Sequence, residues 1–389
     1  MIDCVKNDCS GCTACVSVCP MHCITMRANE DGFLYPSIQK ENCAKCGLCE
    51  KACPVLRNTP WSSDYFHEAW TVISADRDML LKSSSGGLFT ELAKLILKEG
   101  GCIVGAAFTE DYRSVHHIFV ETIEALASIR GSKYIQSEIG SVYLKTREAL
   151  NAGRKVLFSG TPCQISGLRQ FLGQEYKNLI LVDVVCHGTP SSSLWQKYLS
   201  SIEKQMGGIT KYVSFRNKEQ GWKEYSVDIH FTGEKRYFKK YRENAFMKMF
   251  LRNVCLRESC YHCKAKELGS AADITIGDFW GVEHVYPELD SSLGVSLALI
   301  HTKKGKDLFS RLPLETITRQ TDYDVAVSYN TPIFQSVYRP RERNHFFVDL
   351  RSKDWPSLEM KYTRERTNAL IKMLQKAKRR LIAAHIERK

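Results

Sequence analysis

From residue 69 to about residue 320 the chain alternates two hydrophobic patterns: short continuous apolar runs, and longer stretches whose apolar residues recur every three to four positions. AWTVISA (69–75), CIVGAAF (102–108), KVLFSG (155–160) and NLILVDVVC (178–186) are of the first kind and predict strands. GGLFTELAKLILKEG (86–100), SVYLKTREALNAG (141–153) and TPCQISGLRQFLG (161–173) are of the second kind and predict helices. Between 209 and 241 the period falls to two, which predicts an antiparallel hairpin or meander turning at Thr232-Gly233-Glu234. ADITIGDFWG (272–281) reads as a further strand ending in Gly-Asp. The alternation argues a mixed α/β body with at least one largely buried sheet.

The first 58 residues follow a different logic. Ten of the sixteen cysteines precede residue 54, and eight of them form two copies of one run, offset by 34 residues. These are Cys9, Cys12, Cys15 and Cys19-Pro20, then Cys43, Cys46, Cys49 and Cys53-Pro54. This is the bacterial ferredoxin signature, in which three thiolates of a run hold one 4Fe-4S cube and the fourth reaches across to the other. Cys9, Cys12, Cys15 and Cys53 are therefore expected around one cluster, and Cys43, Cys46, Cys49 and Cys19 around the second. A zinc ribbon needs Cys-x2-Cys pairs a dozen or more residues apart, which fits two complete runs closed by proline poorly. Cys4 and Cys23 lie outside both runs and read as packing residues. Linker composition in NTPWSSD (58–64) places a domain boundary there.

The 389 residues are 43% apolar and 25% charged, which excludes a disordered chain and a small disulfide scaffold. No signal-like start and no apolar run of membrane-spanning length is present, so the expectation is a soluble cytoplasmic protein whose cysteines serve metal or redox chemistry. The net charge of +12 is uneven, because residues 361–389 hold ten Lys/Arg against two Asp/Glu. Within that tail, Leu370, Leu374, Ala377, Leu381 and Ala384 share one face of a predicted helix with basic residues around the others. Such a helix packs on the body or a partner, or makes peripheral contact with the inner face of an anionic membrane; packing is the preferred reading. Nucleic acid is not expected, since no reading motif accompanies the charge.

Several body segments carry candidate chemistry. Ser83-Ser84-Ser85-Gly86-Gly87 precedes a helix and gathers free amides and hydroxyls at its N-terminus, an anion site or an ordinary cap. Gly131 to Ser137, with Ser132, Lys133, Tyr134 and Gln136, suits a phosphate or flavin edge or a solvated loop. Gly160-Thr161-Pro162-Cys163-Gln164 carries a strand end into a helix start, the place where open α/β sheets bind ligands. Cys186-His187-Gly188 ends the next strand, which predicts that Cys163 and Cys186 come close. Cys255-x4-Cys260-x2-Cys263 lacks a fourth thiolate and needs distant partners; Cys163 and Cys186 are candidates, with zinc and His262 or His187 the competing reading. Asp278 either faces a cofactor or caps a turn. His187 either donates a proton to substrate or is structural. No G-x-G-x-x-G follows any strand, which argues against a nicotinamide site.

In this order, the two Cys-Pro runs, SSSGGLFTEL, RGSKYIQS, LFSGTPCQISGL, VDVVCHGTPS, LRESCYHCK and ADITIGDFWG resemble the family of coenzyme F420 hydrogenase/dehydrogenase beta subunits. The match is to bacterial members with a fused N-terminal dicluster ferredoxin, and it covers about residues 4 to 305. It implies an α+β chain: a dicluster ferredoxin domain (1–58), a mixed α/β flavin and iron-sulfur domain (65–320), an extension (321–360) and the basic helix (361–389). It further implies a third 4Fe-4S cluster on Cys260, Cys263, Cys163 and Cys186, leaving Cys255 spare or a substitute. A flavin, typically FAD, would lie against Ser85, Gly86, Gly87, the Lys133 loop and the turn Gly160, Thr161, Pro162, Cys163 and Gln164. Archaeal members dock a deazaflavin coenzyme over the flavin, whereas related bacterial chains are linked to surface polysaccharide pathways.

Because a cube moves one electron and a deazaflavin moves two as hydride, a flavin must stand between them. The expected function is thus a flavin and iron-sulfur oxidoreductase passing electrons between a ferredoxin-type partner protein and a deazaflavin-like coenzyme or small organic substrate. The alternatives are a non-catalytic electron-transfer subunit of a larger complex and a scaffold that keeps clusters for folding.

Overall fold

The structure, a computed structural model, describes residues 2–57, 61, 68–267 and 269–364. The side chain of Cys4, most of the segment 58–64 and the basic helix expected over 368–386 lie outside the described residues. Among those described, no helix is long and apolar enough to cross a membrane.

The duplication of the cysteine runs is repeated in the backbone. Gly11 and Lys45 take left-handed φ values of 74° and 53°, and Thr13 and Gly47 take 63° and 73° as the caps of two short helices, Ala14–Val18 and Leu48–Lys51. Both pairs are 34 residues apart, so each cysteine loop turns through the same two left-handed positions. Strands β1 (Ile24–Ala28) and β2 (Leu34–Ile38) pair antiparallel between the halves.

The body is built on a nine-stranded sheet. Its strands are β3 (Glu68–Ile73), β4 (Cys102–Phe108), β5 (Val115–Val120), β6 (Ser137–Glu138), β7 (Val156–Gly160), β8 (Leu179–Val184), β12 (Ile274–Asp278), β13 (Ser296–Ile300) and β14 (Ile317–Thr321). The spatial order is β14-β3-β13-β12-β8-β7-β4-β5-β6. Strands β12, β8, β7 and β4 form a parallel centre, flanked by antiparallel pairs at β12–β13, β13–β3, β3–β14 and β4–β5. The centre is buried on both faces, which is why its strands read as unbroken apolar runs. Ile103, Leu157, Ile180 and Val182 face the helix Leu88–Lys98, while Val104, Phe158 and Leu181 face the helices Val142–Asn151 and Pro162–Leu172.

A separate antiparallel sheet, β9 (Thr210–Asn217), β10 (Ser226–Phe231) and β11 (Arg236–Lys240), occupies the stretch of period two. Its apolar face joins the helices Ser192–Met206 and Ala245–Leu251 in one core, to which Phe346, Phe347, Leu350, Trp355, Leu358 and Tyr362 of the C-terminal extension also belong. The extension therefore packs as part of the body.

The ferredoxin domain docks on the face of the sheet covered by Val142–Asn151 and Pro162–Leu172, where Cys12, Ala14 and Ala52 enter the body's core. The strands that run parallel keep their C-terminal ends clear of this packing, and those ends open into the candidate site.

Candidate functional site

The C-terminal ends of β4, β7, β8 and β12 meet in one cavity of about 400 Å³. Gly105, Ser159, Gly160, Val184, Ile276 and Gly277 form its floor, the position at which open α/β sheets take ligands. Of the residues singled out from the sequence, Ser85, Gly87, Ser132, Lys133, Tyr134, Gln136, Gly160, Thr161, Gln164, Asp278 and His187 line it.

Two do not. Gly86 faces the neighbouring strands: a Cβ there would stand 2.2 Å from the Val72 carbonyl oxygen and 2.6 Å from the Ser296 nitrogen. Pro162, at the first position of its helix, faces the neighbouring thiol cleft. Gly87 does line the cavity, yet its conformation has a local cause. It caps the helix Leu88–Lys98 with φ 87°, and a Cβ would meet Ser74 at 3.0 Å.

The cavity is built to hold negative charge. The helix Leu88–Lys98 begins with no side-chain cap, so its first amides remain available at the wall. The Ser83 hydroxyl beside them is buried without a hydrogen-bond partner. Lys133 sends its ammonium to the Arg130 and Gly131 carbonyls at 2.9 and 3.2 Å, and burial lowers its pKa to about 7. Gln164 is committed to structure: Oε1 closes a capping box by accepting from the Thr161 amide at 3.0 Å, while Nε2 donates to the Ser137 carbonyl at 3.0 Å.

Asp278 does not offer a free carboxylate. Arg216 grips it through Nη1–Oδ2 at 2.7 Å and Nη2–Oδ1 at 3.0 Å, and Trp222 Nε1 donates to Oδ1 at 2.8 Å. Arg216 itself was not apparent from the sequence. Three residues of β9 oppose two of β10 between Ser226 and Asp228, a bulge that buries both Phe215 and the adjacent Arg216. Arg216 Nε is left without a partner at the cavity wall. His117, also unanticipated, lines the cavity and spans Ser137 Oγ at 2.7 Å and the Ser159 carbonyl at 2.9 Å. Burial lowers its pKa to about 4, so the ring is neutral near pH 7.

Behind one wall of the cavity lies a narrower cleft containing Cys163, Cys186, Cys260 and Cys263. Cys163, Cys186 and His187 belong to both spaces. Burial and mutual repulsion push the thiols of Cys186 and Cys163 up and bring that of Cys260 to about 12. Such a bundle is poorly suited to carry charge until a metal supplies positive charge. Cys255 lines neither space; it is fully buried in the apolar core. The four that converge come from a helix start, a strand end and the turn after Leu256. Their grouping resolves the choice among five cysteines left open by spacing. His187 is held at 2.7 Å by Asn253 Oδ1, packs 4.9 Å from the Phe250 ring, and has its pKa lowered by burial.

In the ferredoxin domain, Cys12 and Cys15 sit in mutual repulsion with Cys9 and Cys53. Cys19, Cys43, Cys46 and Cys49 surround a second space. The crossing of the fourth cysteine of each run is therefore present. Cys23 also lines that second space, with Sγ 3.5 Å from Cys19 Sγ. Among the described residues no group of three or more His, Cys, Asp or Glu is arranged to hold a single metal ion. Four thiolates on one zinc would stand about 4 Å apart, given Zn–S bonds near 2.3 Å.

Residues 153–321 match the family model for the C terminus of the coenzyme F420 hydrogenase/dehydrogenase beta subunit, and residues 8–56 match a 4Fe-4S dicluster domain. The F-type subunit of the F(420)H(2) dehydrogenase of Methanosarcina mazei is 22% identical over 192 residues, which is 46% of this chain and 53% of that protein. Ferredoxin-1 of Caulobacter vibrioides is 36% identical over 62 residues, 16% of this chain and 50% of that protein. The chain spans about half the length of the curated relatives it matches. A chain of the xenon-derivatized F420-reducing NiFe hydrogenase complex from Methanosarcina barkeri superposes over 73% of this chain and 99% of that one, with a TM-score of 0.44 and 17% identity.

Proposed function

We propose, for a chain whose residues 153–321 belong to the family of coenzyme F420 hydrogenase/dehydrogenase beta subunits behind an N-terminal 4Fe-4S dicluster domain, the role of a flavin-dependent oxidoreductase. Electrons would pass singly through the ferredoxin clusters and a body cluster, and in pairs to or from a deazaflavin-like coenzyme or a small organic substrate. The observation that carries this reading is the shared wall: Cys163 and Cys186 belong at once to the four-thiol cleft and to the large cavity. A cluster held there would lie directly behind whatever the cavity binds.

The donor sets fit the groups. Four buried thiols that repel one another suit a four-iron cube, and the cavity offers an open helix start, a buried ammonium, an orphaned guanidinium nitrogen and an orphaned hydroxyl to a phosphate-bearing ligand. A flavin bound there would supply the conversion between one-electron and hydride transfer. Lys133 and the Leu88 helix start would bind its anionic part. Arg216, fixed by Asp278 and stacked 4.1 Å from the Tyr225 ring, would hold positive charge where electron density accumulates. Phe250 and Tyr225 would exclude water from that wall. His187 would position the partition between cavity and thiols through Asn253.

Anaerobic purification with iron, sulfide and flavin counts tests the cofactors, with about twelve iron atoms and one flavin expected for three cubes. Reduced ferredoxin with a two-electron acceptor then tests catalysis. The Methanosarcina mazei relative is by name one part of a multi-chain dehydrogenase, which favours a second reading, a relay inside a larger complex. Reduction of bound cofactors without turnover of any small acceptor would select it.

A further inference from the structure

Arg257 is 1% exposed and lies where the ferredoxin domain meets the body. Each of its nitrogens donates to a neutral oxygen. Nε reaches the Cys9 carbonyl at 2.6 Å, Nη2 the Leu34 carbonyl at 2.8 Å and Nη1 Gln136 Oε1 at 3.2 Å. Two of these partners belong to the ferredoxin domain and the third to the cavity wall. Gly11 of the first cysteine loop leaves room for the contact, since a Cβ there would stand 3.0 Å from Nη1. The guanidinium also packs 4.3 Å from the Tyr35 ring centre.

An arginine this deeply buried is normally paired with a carboxylate, because an uncompensated buried charge is strongly destabilising. No ion pair joins Arg257 to a carboxylate among the described residues. What surrounds it instead is thiol. It lines the cleft of Cys163, Cys186, Cys260 and Cys263, and its first hydrogen bond is to Cys9 of the first ferredoxin set. Burial raises the Cys163 and Cys260 thiols, and the positive charge of Arg257 pulls both back. A cube held by four thiolates is a net anion in both oxidation states, and reduction makes it more negative.

We propose that Arg257 is the shared counter-ion of the first ferredoxin cluster (Cys9, Cys12, Cys15, Cys53) and the body cluster, a positioning residue that sets both reduction potentials and locks the two domains together. For the body cluster the inference rests on the function proposed above; for the first ferredoxin cluster it stands without it. A nearby positive charge stabilises the reduced, more anionic state, so its removal lowers the potential of each adjacent cluster. The second ferredoxin cluster (Cys19, Cys43, Cys46, Cys49), outside these contacts, keeps its potential.

The test is an EPR-monitored dithionite titration of the whole chain with Arg257→Gln, which removes the charge and keeps amide donors, and Arg257→Lys, which keeps the charge and loses the fork. In Arg257→Gln the reduction equilibria of the first and body clusters should fall about tenfold, which is about 59 mV for one electron. The second cluster should not move, and Arg257→Lys should keep all three within about threefold. Unmoved potentials in Arg257→Gln, or an equal fall in Arg257→Lys, would overturn the proposal. If Arg257→Gln does not load iron, normal loading in Arg257→Lys supports the charge, and failure of both counts against it. A wild-type protein with only the two ferredoxin signals would remove the body cluster and the function built on it, while the first cluster's shift would still decide the role of Arg257.

Discussion

Cys12 lies directly against Gly167. A Cβ on residue 167 would stand 2.9 Å from both Cβ and Sγ of Cys12, and 3.0 Å from the hydroxyl of Tyr143. Gly167 sits mid-way along the helix Pro162–Leu172, where glycine costs about 0.8–1.0 kcal/mol relative to alanine. The helix carries that cost at the point where the first cysteine loop crosses it. The same helix begins with Cys163, so one rigid element touches the first ferredoxin set and supplies a thiol to the body set.

Gly167→Ala should therefore destabilise the protein despite its better helix propensity. Overpacking of about 1–3 kcal/mol exceeds the propensity gain, and the strain falls on Cys12. The expected result is a lower denaturation midpoint and faster loss of the first cluster's signal to a chelator. A net gain in stability would show that the ferredoxin loop does not press on this helix.

The ligand assignment of the body cluster is separable by single serine substitutions. Cys263→Ser and Cys186→Ser should each cost about four iron atoms, one cube's worth, with both ferredoxin signals intact. Cys255→Ser should keep its iron, because Cys255 is packed in the apolar core. Full iron in Cys263→Ser would remove the body site.

Asp278 is the sole carboxylate compensating Arg216 in the pairs described, and both side chains are largely buried. Asp278→Ala leaves the guanidinium uncompensated, so a loss of about 3–5 kcal/mol is expected in chemical denaturation. A loss below about 1 kcal/mol would mean that water reaches Arg216 freely.

Lys133 makes ligand binding pH-dependent. Its pKa near 7 lies below that of a lysine in an unfolded chain, about 10.4. Between those values the unfolded chain binds more protons, so ligand-free stability should rise with pH from about 7 to 10, with the penalty complete below 7. An anionic ligand beside the ammonium restores the proton, so flavin should bind more tightly as pH falls from 9 to 7, with proton uptake measurable by calorimetry. Lys133→Met should purify with less flavin at unchanged iron and lose this proton uptake. Normal occupancy and unchanged uptake would place the anion elsewhere. This is a cleaner probe than Gly87→Val, whose new side chain would collide with Ser74 whether or not flavin binds there.

The sequence by itself determined the elements and the first layer of chemistry. Buried parallel strands must be apolar throughout, so CIVGAAF, KVLFSG and NLILVDVVC announced β4, β7 and β8, and the helix starts at Gly87 and Thr161 carried their own turn and capping residues. Two cysteine runs at a fixed offset likewise specify two equivalent loops, because each spacing is local. What lies at long range was beyond such reasoning. The choice of Cys163 and Cys186 over Cys255 depends on how a helix start and a strand end meet a turn roughly ninety residues later. Arg216 reaches the cavity only because a bulge breaks the alternation that would have turned it outward. Arg257 reads in sequence as one more basic residue between cysteines, and only the docking of the ferredoxin domain buries it among thiols without a carboxylate. Periodicity reports which face of an element is apolar; which charges end up facing one another is decided by tertiary packing.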